Sequence, residues 1–142
     1  MTTALDTSVI VAALVRAHPE HDRALPCISP ARRSAAVIAA HALAETWSTL
    51  TALPLEPRVS GEQAKAMLLR LRKRLTTIAM SEAIYRRAID RCVARGLRSG
   101  AIYDALHLVA AEANGADVLL TFNVGDFERL ATTDSPVIRA PA

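Results

Sequence analysis

The chain is predicted to fold as an α/β domain, a three-layer α/β/α sandwich with a central parallel β-sheet. Short apolar runs of strand length alternate with longer segments of helical periodicity, the pattern that covers a parallel sheet on both faces. Its 142 residues, 51% of them apolar, suit one domain (1–142) with a sizeable core and exclude a disordered chain. Four carboxylates, Asp6, Glu45, Asp104 and Asp126, each stand where a strand ends or a helix begins. A parallel sheet gathers such positions along one edge.

The first strand is Thr2 to Leu5, ending at Asp6. In Ser8 to Arg16 the β-branched residues blur strand and helix. A helix is preferred there, because Asp6-Thr7-Ser8 supplies capping side chains at its start. His18-Pro19-Glu20 punctuates the chain, and Pro19 to Ile28 reads as a short helix. Ser34 to Ala40 is a buried strand behind Arg32-Arg33, and a helix from His41 to Leu53 is closed by Pro54 and Pro57. Ser60 to Leu75 is the clearest helix. Ser60 and Gln63 form a capping box, and Ala64, Met67, Leu68, Leu71 and Leu75 recur at helical spacing.

Thr76 to Ala79 suits a short strand. The next helix, Ser81 to Arg95, carries an apolar stripe of Ala83/Ile84, Ala88 and Cys92 and stops at Gly96. A loop over Leu97 to Gly100 leads into a helix from Ala101 to Asn114, stopped by Asn114-Gly115. Asp117 to Thr121 is a strand, Asn123 opens a short helix, and Pro136 to Arg139 is the last strand. There is no internal repeat or low-complexity tract. No apolar run approaches the ~18 residues of a bilayer span. The opening M-T-T-A-L-D lacks the basic region and apolar core of a signal peptide, so a cytoplasmic protein is expected. Cys27 and Cys92, far apart and without a C-x-x-C, suit free thiols in a reducing compartment.

Carboxylates crowded at one edge repel unless a hard cation neutralises them, and Mg²⁺ or Mn²⁺ prefers such oxygen ligands. A metal-dependent enzyme acting on phosphates follows. Each carboxylate also has a plainer role. Asp6 can cap the first helix, although Thr7 or Ser8 can do so too, leaving their hydroxyls or Asp6 for a site. Glu45 has apolar neighbours Ala42, Leu43, Ala44 and Trp47, so its solvated face is narrow. Asp104 gains from the helix dipole, and His107, three residues on, either fills the core or donates to a carboxylate. Asn123 and Asp126 have capping-box spacing, yet Thr121 and Asn123 are also placed to bond a phosphate or an ordered water.

The order A-L-D-T-S-V, then A-E in mid-chain, I-Y-D-A-L-H-L-V-A-A, and L-L-T-F-N-V-G-D-F resembles PIN-domain ribonucleases across essentially the whole chain. Within them it is most similar to VapC-type toxins of bacterial type II toxin–antitoxin pairs. The resemblance implies an α/β/α sandwich and an endoribonuclease that inhibits translation and growth. It carries Asp6, Glu45 and Asp104 over as the metal-binding catalytic trio for Mg²⁺, with Mn²⁺ as substitute. Asp126 is the fourth acidic catalytic group, while Thr7, Ser8, Thr121 and Asn123 orient their neighbours. It also implies an RNA substrate, a cognate antitoxin whose tail covers the active site, and a homodimer. Of the 17 cationic residues, 15 are arginine, for a net charge of +3. Arg70, Arg72, Lys73 and Arg74, then Arg86, Arg87, Arg91, Arg95 and Arg98, are candidates to steer RNA, with a solvated helix face as the alternative. Two other readings remain open, a catalytically silent PIN-fold module binding RNA or protein, and a structure-specific DNA nuclease. A receiver-like phosphoryl-transfer domain is disfavoured, because Asp6-Thr7-Ser8 has no acidic neighbour and no lysine follows the late strand.

Overall fold

A computed structural model describes residues 1–29 and 36–142. Five strands form one wholly parallel sheet: β1 (Thr3–Leu5), β2 (Ala36–Ala39), β3 (Thr76–Ile78), β4 (Val118–Leu120) and β5 (Val137–Arg139). Their spatial order is β3-β2-β1-β4-β5. In β1, Ala4 lies beside Val37 on one side and Leu119 on the other. The helices are α1 (Thr7–Leu14), α2 (His21–Ala24), α3 (His41–Ala52), α4 (Gly61–Arg72), α5 (Glu82–Ala94), α6 (Ala101–Ala113) and α7 (Val124–Glu128).

The central strands are short and apolar on both faces, as a doubly covered parallel sheet requires. Alternation sends Leu5, Ala36, Ile38, Val118 and Leu120 into one core layer, with Val9, Ile10 and Ala13 of α1. Ala4, Val37 and Leu119 enter the other, against Ile84 and Ala88 of α5, Leu108 and Val109 of α6, and Phe127 of α7. A third cluster joins α1, α3 and α4 through Val11, Val15, Leu50 and Ala64. Among the described residues, no helix is long and apolar enough to cross a membrane. Both cysteines are buried and neither is in a disulfide.

Local chemistry sets the helix ends. The capping box before α4 is present in full: Gln63 N–H donates to Ser60 Oγ at 3.0 Å, and Ser60 N–H to Gln63 Oε1 at 2.8 Å. Ser81 caps α5 by accepting from Ile84 N–H. Past α5, Gly96 adopts φ +65° and lets Leu97 N–H reach back to the Cys92 carbonyl, closing the helix. The segment expected as one helix over Pro19 to Ile28 is instead a single α-helical turn followed by a 3-10 turn, Leu25–Ile28. Pro26 has no N–H to extend the α-helical ladder. Strand β2 is observed from Ala36; Arg32, Arg33, Ser34 and Ala35 lie outside the described residues.

Several arginines of α5 and its end also have structural partners. Arg91 grips Glu112 of α6 with both guanidinium nitrogens, at 2.8 and 3.0 Å, and also donates to the Leu130 carbonyl. Ser135 donates to the same carboxylate at 2.6 Å. Arg95 donates to the Ala131 carbonyl, and Arg87 lies 3.4 Å from Glu112. Three of the five arginines expected to face RNA therefore tie α5 to α6 and to the segment after α7. Burial works to raise the Glu112 pKa, but its hydrogen bonds from Arg91 and Ser135 and the arginine charges outweigh it and lower the value from 4.5. A lowered carboxyl adds stability above its unfolded pKa and loses it as pH falls. Arg91→Met should thus cost about 3 kcal/mol in urea denaturation at neutral pH, because it strands a buried carboxylate. The gap to wild type should narrow as pH falls below 4.5; a gap that stays constant would contradict the assignment.

Candidate active site

The strand order runs outward from β1 in both directions, so the connections reverse between β1 and β4. Ligand crevices form at the carboxyl ends of strands flanking such a reversal. Asp6 follows β1, Thr121 follows β4, and Asp6 N–H donates to the Leu120 carbonyl across the gap.

Asp6 occupies the position preceding α1 but caps nothing with its side chain. Its Oδ2 accepts from Ser8 Oγ at 2.7 Å and from Thr121 Oγ1 at 2.8 Å. Those hydroxyls are themselves anchored, since Ser8 Oγ accepts from Phe122 N–H and Thr121 Oγ1 from Asn123 N–H. The carboxylate is thereby fixed at 3% residue exposure.

Glu45 projects from the first half of α3. Its Oε1 lies 2.9 Å from His107 Nε2 and 3.6 Å from His41 Nε2, while Oε2 accepts from Thr7 Oγ1 at 3.3 Å. His107 is fully in the interior, and its other nitrogen, Nδ1, has no hydrogen-bond partner among the described residues. Burial alone would lower the imidazole pKa. The bond to Glu45 and the charges of Asp6, Glu45 and Asp104 outweigh that and raise it. His107 is thus both a core residue and a hydrogen-bond partner of Glu45.

Asp104, in the first turn of α6, has its pKa pushed up to about 6, chiefly by burial and then by the charges of Asp6, Asp126 and Glu45, with His107 opposing. Asp6, Glu45 and Asp104 line one pocket of about 430 Å³, with Thr7, Ser8 and Asn123. His18, which sequence reasoning left as loop punctuation, is also in its wall. Asp126 does not line the pocket. Its side chain is exposed, 4.0 Å from Arg129 Nη2, and Asn123 forms no side-chain cap, so the expected capping box is absent. The charge of Asp126 still reaches Asp104.

The carboxylates offer hard oxygens, and the charges of Asp6 and Glu45 both bear on Asp104. That chemistry fits a small divalent ion. Among the described residues, no three acidic, His or Cys side chains yet close on a common point; Glu45 is engaged by His107 instead. Arg70, Arg72, Lys73 and Arg74 are all exposed at the end of α4, and none of them lines the carboxylate pocket.

The sequence profile of the PIN domain matches residues 3–132. The chain belongs to the PIN-domain family. This PIN domain is 34% identical over 114 residues to Ribonuclease VapC40 of Mycobacterium tuberculosis, covering 80% of the chain and 81% of that protein. It is also 34% identical over 116 residues to Ribonuclease VapC27 of the same organism, covering 81% and 80%. Among solved structures it superposes on VapBC2 from Rickettsia felis, bound to a promoter DNA fragment, with TM-score 0.70 and 22% identity over the full length of both chains. Against the sarcin–ricin loop cleaving toxin VapC20 of M. tuberculosis the TM-score is 0.72 and the identity 20%, covering 93% and 97%.

A carboxyl with a raised folded-state pKa favours the fold below its unfolded value and loses that benefit as pH rises. For Asp104 the loss runs from 3.8 to about 6 and is complete at neutral pH. In metal-free protein, Asp104→Asn should therefore raise the melting temperature at pH 7.5 by about 3 °C or more, with little effect at pH 4. Mg²⁺ should stabilise wild type and fail to stabilise the variant. A lower melting point for metal-free Asp104→Asn at pH 7.5 would refute the electrostatic reading.

Proposed function

We propose that this PIN domain is the toxin of a toxin–antitoxin pair, an endoribonuclease that hydrolyses RNA phosphodiesters with Mg²⁺, or Mn²⁺ in its place. The observation that carries the reading is the convergence of Asp6, Glu45 and Asp104 on one pocket at the β1/β4 reversal. Its resemblance to two curated VapC ribonucleases supports the substrate.

Asp6, Glu45 and Asp104 would hold the ion. When bound, it lowers the pKa of a coordinated water and neutralises charge growing on the phosphate oxygens. Ser8 and Thr121 aim the Asp6 carboxylate, and Thr7 and His107 hold that of Glu45. Asn123, exposed at the pocket wall, offers its amide to a phosphate oxygen. Asp126 acts at a distance, adding its charge at Asp104. Ser8 is committed to Asp6 and no cysteine lines the pocket, so the proposal needs no protein nucleophile and assigns attack to water. In-line attack leaves a 5′-phosphate and a 3′-hydroxyl.

Several solved neighbours are toxin–antitoxin complexes, which supports an antitoxin partner. A groove of about 570 Å³ between α3 and α4, walled by Leu43, Trp47, Leu68 and Leu69, suits an apolar segment of it. Ile89 and Val93, one turn apart and exposed on α5, suit a homodimer contact. A cytoplasmic setting accords with two cysteines outside any disulfide.

Asp6→Ala and Asp104→Ala should each lower the RNA cleavage rate by more than about 100-fold, and Thr121→Val by roughly 10-fold through the misaimed carboxylate. EDTA should abolish cleavage. Full activity in Asp6→Ala with metal present would eliminate the proposal. If Arg72 and Arg74 contact the backbone, their joint replacement by Gln should flatten the log K against log salt slope by about 1.4; an unchanged slope places the RNA elsewhere.

A further inference from the structure

Among the described residues, the carboxylate pocket is lined by acidic, hydroxylic, amide, imidazole or apolar side chains, with no lysine or arginine. A single-stranded RNA whose phosphate meets an ion held there still needs a surface for its bases. Beside the pocket stands a partly exposed aromatic cluster. His41, the first residue of α3, stacks on Tyr103 with ring centroids 5.6 Å apart and planes at 11°. Tyr85 of α5 meets His41 edge-on, at 6.3 Å and 85°. The chain has only two tyrosines, and both are in this cluster.

Both are also on the surface, Tyr103 being 49% exposed. Neither phenol hydroxyl has a hydrogen-bond partner among the described residues. The phenylalanines differ, Phe127 being wholly buried and Phe122 partly so. The cluster is coupled to the pocket at two points. Tyr103 precedes Asp104 in the first turn of α6, and His41 Nε2 lies 3.6 Å from Glu45 Oε1.

We propose that Tyr103, backed by His41 and braced by Tyr85, is a stacking platform for an unpaired nucleobase of the RNA strand adjoining the scissile phosphate. The proposal rests on the ribonuclease reading for the identity of the strand. Every base has a π-face, so such a platform binds single strands with little regard to sequence and requires the base to be unstacked. It supplies affinity for the base beside the phosphate that the pocket receives. It also makes duplex RNA, whose bases are stacked inward, a poor ligand.

The test compares wild type, Tyr103→Leu and Tyr103→Phe, with circular dichroism and melting curves establishing that each is folded. A short fluorescein-labelled single-stranded RNA of mixed sequence is titrated by anisotropy in Ca²⁺, and cleavage of the same strand is followed in Mn²⁺. Tyr103→Leu should weaken binding and raise KM about ten-fold, while Tyr103→Phe, which keeps the ring, stays within about two-fold of wild type. A hybridised complementary strand should remove the difference between the variants. Equal binding by Tyr103→Leu and wild type overturns the platform. So does an equal loss in Tyr103→Phe, which would assign the effect to the hydroxyl. Conversion of a dimer to a monomer by Tyr103→Leu in analytical ultracentrifugation also overturns it, by making the surface a protein interface. A wild type that binds this RNA through Tyr103 without metal-dependent cutting removes the ribonuclease and leaves the platform. One that binds no RNA removes both.

Discussion

Asp6 enters the interior at the point where the strand order reverses, and its charge is tolerated there because the hydroxyls of Ser8 and Thr121 replace water. A buried carboxylate without such donors would cost several kcal/mol or pick up a proton. The donors come from α1 and from the end of β4, more than a hundred residues apart. The site therefore exists only when β1 and β4 are paired in register. The Asp6 N–H bond to Leu120 and the Thr3–Val118 to Leu5–Leu120 pairing set that register. The geometry of the carboxylate pocket and the closure of the sheet are one constraint.

The other carboxylates are balanced unequally around this fixed point. Glu45 has His107, whose imidazole is held toward its charged form, and the hydroxyl of Thr7. Asp104 has no comparable donor among the described residues, and its pKa is displaced upward by burial and by its acidic neighbours. Such a displacement in a cleft is the electrostatic mark of a functional site. Here it is also a structural statement, since a cation would relieve repulsion that the protein alone leaves in place. The Arg91–Glu112 clamp shows the opposite arrangement, a carboxylate compensated by a paired guanidinium and the Ser135 hydroxyl.

Much of this could be read from the chain because the fold is locally consistent. Strand-length apolar runs, the Ser60–Gln63 box and the stop at Gly96 each reflect forces acting within a few residues. The carboxylates could be assembled because a parallel sheet has one carboxyl edge, whatever its detailed packing. What depended on long-range packing was not legible in the same way. Arg91 and Glu112 are on different helices, and no periodicity marks one arginine of a basic face as buried. His107 had two readings because helical spacing places it near both the core and Asp104; the approach of α3 brings Glu45 to it. The Asn123–Asp126 spacing suggested a cap, but Asn123 adopts φ −107°, ψ 51° and Asp126 turns to solvent. The meeting of His41, Tyr85 and Tyr103 joins three helices and left no trace in sequence beyond the scarcity of aromatics.

The central claim is that these carboxylates direct water, rather than the ribose 2′-hydroxyl, at an RNA phosphodiester. The most direct measurement is the chemistry of the ends. Total bacterial RNA digested by purified, antitoxin-free protein in Mg²⁺ is ligated to adaptors that accept only 5′-phosphates, then sequenced. The account predicts discrete new 5′-phosphate ends, paired with 3′-hydroxyls. Ends bearing 5′-hydroxyls and 2′,3′-cyclic phosphates would contradict it, because that chemistry uses the 2′-hydroxyl as nucleophile.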